Sequence, residues 1–140
     1  MNQLDLIHSN KIRIGDRLVR NKGVLSKHHG IYVGVQQGTP IVAENQVDRG
    51  VSYTSLASFL LWDIRNLSRI DRFSGSEYDR IQVIPRINQL LGTKYDLVNF
   101  NCEHFAELIQ KGRAKSSQVT NAFAGISLLL LVGIAMSSND

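Results

Sequence analysis

The sequence predicts an α+β domain, and three observations carry that reading. Short alternating or β-branched runs occupy the first third of the chain. A stretch with apolar residues at spacings of three and four follows, and then a run with the marks of a capped helix start. Strands first and helices afterwards argue against a doubly wound parallel sheet, which needs the two to alternate. At 140 residues, 43% hydrophobic and 20% charged, the chain is long enough to bury a core and too apolar to be disordered.

Each element has its own signal. Residues 12–20, "IRIGDRLVR", alternate apolar and polar and read as a strand interrupted near Gly15-Asp16. Residues 28–34, "HHGIYVG", read as a second strand. "QQGTP" is a turn, and 41–45, "IVAEN", is the return strand of a hairpin. "SLASFLLW", 55–62, suits a short buried helix after a Thr/Ser cap. In "SEYDRIQVIPRINQLL", 76–91, Tyr78, Ile81, Ile84, Ile87 and Leu91 line one face of a helix that Gly92 closes. Pro85 lies inside that pattern and predicts a kink or a restart. "KYDLVNF" is an extended approach to the next helix. Asn101 is its N-cap, Cys102 its first residue and Gly112 its end, with Phe105, Leu108 and Ile109 on the Cys102 side.

Composition excludes several classes. The single cysteine forbids an intrachain disulfide and a thiolate zinc site, and a free thiol suits a reducing compartment. No apolar stretch opens the chain, so no secretory signal is expected. The net charge is +4, with Lys11, Arg13, Arg17, Arg20, Lys22 and Lys27 near the start and Lys111, Arg113 and Lys115 before the tail. This pattern fits a solvated face or attraction to anionic lipid headgroups. Nucleic-acid binding is not expected, because no recognition motif or aromatic-interleaved stripe accompanies the charge.

Cys102 carries the chemistry. At a helix N-terminus a thiol meets unpaired N–H groups and the positive end of the dipole, and both favour the thiolate. The same N–H groups can hold an oxyanion. Composition alone still favours a small buried hydrophobe. A base would come from a histidine. His8 reads as surface, and His104 is too near on the same helix. His28 and His29 point to opposite faces of one strand, so one of them can look toward the thiol. Glu44 or Asn45, on the return strand, can orient that imidazole.

These residues resemble a family. "NCEHFA", 101–106, is similar to the signature of the lecithin:retinol acyltransferase family, which includes the H-Ras-like suppressor phospholipases and acyltransferases. "HHGIYVG" resembles its H-x-x-[IV]-Y-[VL]-G strand, and "VAEN", 42–45, falls where it often has V-[AI]-H. The resemblance covers roughly residues 12–120. It implies a circularly permuted papain-like fold of the NlpC type. It also implies Cys102 as nucleophile, His28 as general base and Glu44 as the third member, with Asn45 as the fallback. Better-known animal members carry histidine where this chain has Glu44. Glu103 and His104 then read as supports for the helix start. The activity implied is thiol-dependent acyl transfer on glycerophospholipid esters, as a phospholipase A or an acyltransferase, with no metal or organic cofactor. Amide or peptide hydrolysis on the same scaffold is the alternative, and a membrane-anchored binding module without chemistry is a third reading.

The tail holds 15 uncharged residues, 122–136, "AFAGISLLLLVGIAM". A helix of that length spans about 22 Å, short of a hydrocarbon core of about 30 Å. Neighbouring polar residues bring it near spanning length. The expectation is a catalytic domain at 1–118 and a membrane anchor at 119–140. The basic residues before the tail would keep the domain on the cytoplasmic face.

Overall fold

The computed structural model describes residues 1–112. Five strands form one antiparallel sheet: β1 (Arg17–Lys22), β2 (Ser26–Gln36), β3 (Thr39–Gln46), β4 (Gly50–Ser55) and β5 (Leu67–Asp71), in the spatial order β4-β3-β2-β1-β5. The helices are α1 (Gln3–Ser9), α2 (Leu56–Phe59), α3 (Glu77–Ile81), α4 (Val83–Leu90) and α5 (Cys102–Lys111). The fold is thus α+β, as the sequence predicts.

Strand alternation gives the sheet two apolar faces, and each is covered. On one face Leu18, Tyr32 and Val42 pack with Leu6 and Ile7 of α1 and Leu56 and Phe59 of α2. On the other, Ile31, Ala43 and Val51 meet Val83, Ile87 and Leu90 of α4 and Phe105, Ala106 and Ile109 of α5. One glycine sets the spacing on the first face. A Cβ on Gly30 would lie 2.6 Å from Val42 Cγ1 and 2.7 Å from Phe59 Cε2, so only glycine lets Phe59 lie this close to β2.

The hairpin at 28–45 forms where expected and runs longer at both ends. Three expectations change. The strand read from residue 12 begins only at Arg17. Asp16 instead closes a turn, accepting the Arg13 N–H at 2.9 Å and the Phe73 N–H at 2.9 Å. The helix read at 55–62 is a single turn capped by Ser55, after which Leu61 and Trp62 adopt φ of 56° and 63° and are exposed. The stretch 76–91 restarts, as Pro85 predicts, but already at Gln82, giving α3 and α4, and it is the apolar face that changes. Proline cannot donate to the residue four before it, so Pro85 is accommodated in the first turn of a new helix. The break rotates the apolar face: Val83, Ile87 and Leu90 are buried, while Tyr78 and Ile81 are 71% and 69% exposed.

The N-terminal basic residues are not one solvated face. Arg17 and Arg20 are buried. Arg17 reaches α5, pairing with Glu107 at 2.8 Å and donating to Gln110 at 3.2 Å. Arg13 pairs with Glu77 at the surface, at 3.0 Å.

Candidate active site

The helix that carries Cys102 is held by its own first turn. Asn101 Oδ1 accepts the His104 N–H at 3.0 Å, and His104 Nδ1 accepts the Asn101 N–H at 3.2 Å, a reciprocal capping box. Burial holds the His104 imidazole below its ordinary pKa, against the nearby Glu103 and Asp96 charges. His104 is therefore a structural brace. The cap leaves the Cys102 and Glu103 N–H groups without an intrahelical acceptor, as at any helix start. Gly112, at φ 69°, ends the helix in the left-handed conformation.

Strand alternation places His28 and Glu44 on the α1–α2 face of the sheet and His29 and Asn45 on the α5 face. His28 lies 5.5 Å from the Phe59 ring, centroid to centroid. Asn45 donates to the Phe100 carbonyl at 2.8 Å, beneath the approach to α5. The thiol meets His28 despite approaching from the other face, and the sheet's edge is the reason. Pairing of β2 with β3 begins at Gly30. The Tyr32 N–H and carbonyl point toward the β1 side, bonding Asp16 and Gly15. By alternation, the Lys27 carbonyl and His29 N–H point to the β3 side, where no strand pairs with them. Cys102 Sγ occupies that gap, 4.0 Å from the Lys27 carbonyl oxygen and accepting the His29 N–H.

His28 Nε2 lies 3.0 Å from Glu44 Oε2, with both side chains buried. A carboxylate only accepts, so Nε2 carries the hydrogen, and Nδ1 keeps the lone pair. Gln46 Nε2 donates to the other Glu44 oxygen at 3.1 Å. Burial alone would lower the imidazole pKa, but the hydrogen bonds and charges of Cys102 and Glu44 outweigh it and raise it. Burial alone would push the Cys102 thiol up, but His28, the His29 N–H and the Lys22 charge bring it below its ordinary value. The two shifts run in the directions that favour a thiolate–imidazolium pair.

The structure therefore joins Cys102, His28 and Glu44 and leaves Asn45 out, tied to Phe100 on the opposite face. His29 is buried and its Nδ1 has no hydrogen-bond partner; burial, with the nearby Arg17 charge, lowers its pKa to about 4. His8 is exposed. Arg20, opposite His28 in the β1–β2 register, was not a site expectation. Its guanidinium lies 5.7 Å from the Phe59 ring centroid, and its buried Nε lacks a partner. Burial lowers its pKa against the opposing charges of Glu44 and Cys102. The signal was present in "RLVR": Arg20 shares the face of Leu18, an apolar position. Among the described residues no group of three or more His, Cys, Asp or Glu could hold a metal ion. An open cleft of about 530 Å³, lined by Val33, Ile41, Tyr53 and Ile84 among others, lies at the far end of β2 and does not include the thiol.

Residues 10–115 match the family model described as lecithin retinol acyltransferase, a span that holds Cys102, His28 and Glu44. The chain belongs to the lecithin retinol acyltransferase family. No curated protein and no solved structure matches the chain significantly. The family's name is that of an acyltransferase, and a thiol paired with an imidazole at a helix start has the chemistry of acyl transfer.

Proposed function

We propose that the protein transfers acyl groups through a thioester on Cys102, drawing them from glycerophospholipid esters. The observation that carries this reading is the Cys102–His28–Glu44 chain, with its lowered thiol and raised imidazole. The thiolate attacks the ester carbonyl carbon, and the new C–S bond pushes the carbonyl electrons onto oxygen. The Cys102 and Glu103 N–H groups at the start of α5 would hold that oxyanion. As the intermediate collapses, the C–O bond breaks and His28 gives its proton to the leaving alkoxide. Water, an alcohol or an amine then attacks the thioester, His28 takes its proton, and the thiolate is released. Water makes the protein a phospholipase A; the other acceptors make it an acyltransferase. Glu44 holds the imidazole in the reacting tautomer throughout.

The histidine strand β2 precedes the cysteine helix α5, which supports a circularly permuted papain-like arrangement. Among the described residues no helix is long and apolar enough to cross a membrane. The apolar run 122–136 lies outside the described residues. We propose the division into a catalytic domain at 1–118 and an anchor at 119–140, with the domain on the cytoplasmic side. If deleting 119–140 leaves membrane partitioning unchanged, the anchor is refuted.

Intact mass spectrometry after brief exposure to mixed phospholipid vesicles tests the chemistry, with Cys102→Ala alongside. A fatty-acyl increment on the wild type alone is expected. No increment with a fast-alkylating thiol would move the substrate to amides. No increment with a sluggish thiol would leave a binding module.

A further inference from the structure

The β1–β2 hairpin tip, "NKGVLSK" at 21–27, carries two aliphatic residues that nothing among the described residues covers. Val24 is 98% exposed and Leu25 97%. Hairpin tips ordinarily carry polar turn residues, so two bare aliphatics at the apex call for an occupant. A second exposed pair, Leu97 and Val98, lies in the loop that delivers α5.

Both pairs adjoin the thiol through bonded neighbours. Two residues beyond Leu25, the Lys27 carbonyl oxygen lies 4.0 Å from Cys102 Sγ. The Leu97 carbonyl accepts from Nδ2 of Asn101, the cap of the Cys102 helix, at 3.2 Å. Charge indicates what covers them. Lys22 and Lys27 bracket the tip, and no acidic residue lies between Asp16 and Glu44 in the sequence. The loop is more balanced: Lys94 is offset by Asp96, whose Oδ1 is occupied by the Val98 and Asn99 N–H groups, and by exposed Glu103. Aliphatic tips flanked by lysines suit a bilayer, with the apolar groups below the headgroups and the ammonium groups among anionic lipids. The cleft at the far end of β2 has no such charge around it.

We propose that the Val24–Leu25 tip, together with Leu97–Val98, docks the domain on an anionic lipid bilayer and seats the Cys102 edge of β2 at the interface. This deepens the acyl-ester reading, since it brings the thiol to the plane where lipid esters lie.

The test uses the full chain, so that any contribution of the tail is common to all variants. A polarity-sensitive fluorophore is placed on Val24→Cys in a Cys102→Ala background, with Gln37→Cys at the β2–β3 turn as the control. On vesicles of phosphatidylcholine and phosphatidylserine the probe at 24 is expected to shift to the blue and resist aqueous iodide, while the probe at 37 stays quenchable. A probe at 24 as wet as the one at 37, or a chain that ignores the vesicles, would overturn the proposal. Shielding without vesicles that grows with protein concentration would do the same, assigning the tip to a second copy of the chain.

A second arm reads turnover. Val24→Ser/Leu25→Ser is expected to lose roughly tenfold or more on vesicle lipid, yet keep its alkylation rate with iodoacetamide and its rate on a soluble short-chain thioester. An equal loss on the soluble substrate would refute a docking role. Vesicle lipid left untouched by the wild type, with the probe at 24 shielded, would sink the acyl-ester reading and leave the docking surface standing.

Discussion

Replacing Glu44 by glutamine keeps the shape of the side chain and removes its charge. Glu44 is buried, and its Oε2 lies 3.0 Å from His28 Nε2, so its effect on the imidazolium is screened little by solvent. A hydrogen bond to a charged group is worth about 1.5–3 kcal/mol and a neutral one about 0.5–1.5 kcal/mol. The imidazolium therefore loses about 1–1.5 kcal/mol of support in Glu44→Gln, close to a tenfold fall in the ion-pair population.

The sign follows from the two shifts. In the proposed mechanism the reactive thiolate–imidazolium pair would fill the window between the lowered thiol and the raised imidazole. Without the carboxylate, His28 sheds its proton at lower pH, closing the window from above. A less protonated His28 also supports the thiolate less, closing it from below. The assay is the second-order rate of Cys102 alkylation by iodoacetamide from pH 5 to pH 9, read by intact mass. At pH 6 Glu44→Gln is expected to react about tenfold more slowly than the wild type, in line with the lost hydrogen-bond support. A rate profile superimposable on the wild type, with circular dichroism unchanged, would refute the role given to Glu44.

Three further outcomes follow from the packing. Burial and the nearby Arg17 charge lower the His29 pKa from 6.5 to about 4, so stability present above pH 6.5 is lost as pH falls toward 4. The loss reaches about 3 kcal/mol, and urea melts of His29→Phe should lack most of it. Gly30→Ala drives a Cβ into Val42 and Phe59 and should cost about 1–3 kcal/mol in denaturant melts, with slower thiol alkylation because Phe59 lies against His28. Arg17→Ala should destabilise by about 2–3 kcal/mol, because the partly buried Glu107 then keeps, among the described residues, Lys111 as its counter-ion; Arg17→Met, which restores packing, should cost less. Equal costs for the two Arg17 variants would show that the ion pair, and not the packing, decides.

Much of the fold was legible because local signals agreed with tertiary ones. The Asn101 cap, the Cys102 start and the Gly112 stop of α5 were all written in residue types that helix ends require. The hairpin at 28–45 was legible for the same reason. β5 was not, since "LSRID" lacks clean alternation and is defined by its neighbour in the sheet; in β4 the alternation Val51-Ser52-Tyr53-Thr54 is itself a strand signal, and it went unread. The face of α4 was misread because Pro85 moved the helix start and so rotated the stripe. At the site, alternation separated His28 from His29 correctly, but it could not say which of the two meets the thiol. Face parity alone would have chosen His29, which lies under α5. The answer depends on where β3 stops pairing with β2, a property of two strands and a helix end together.

Glu44 and Arg20 answer the same electrostatic problem. With histidine at position 44, a thiolate and an imidazolium would balance within the site. A carboxylate there adds a buried negative charge that His28 cannot neutralise while it also serves the thiolate. Such a charge would be costly if uncompensated. Arg20 supplies the second positive charge on the same sheet face, opposite His28 in register, and Phe59 lies against both. Four groups then sum to zero: Cys102 and Glu44 negative, His28 and Arg20 positive. On this count the two residues are coupled, and a buried carboxylate at 44 calls for a cation at 20. Arg20→Met should slow alkylation at pH 6 in the wild type and do far less in a Glu44→His background. An effect of equal size in both backgrounds would show that the two positions act independently.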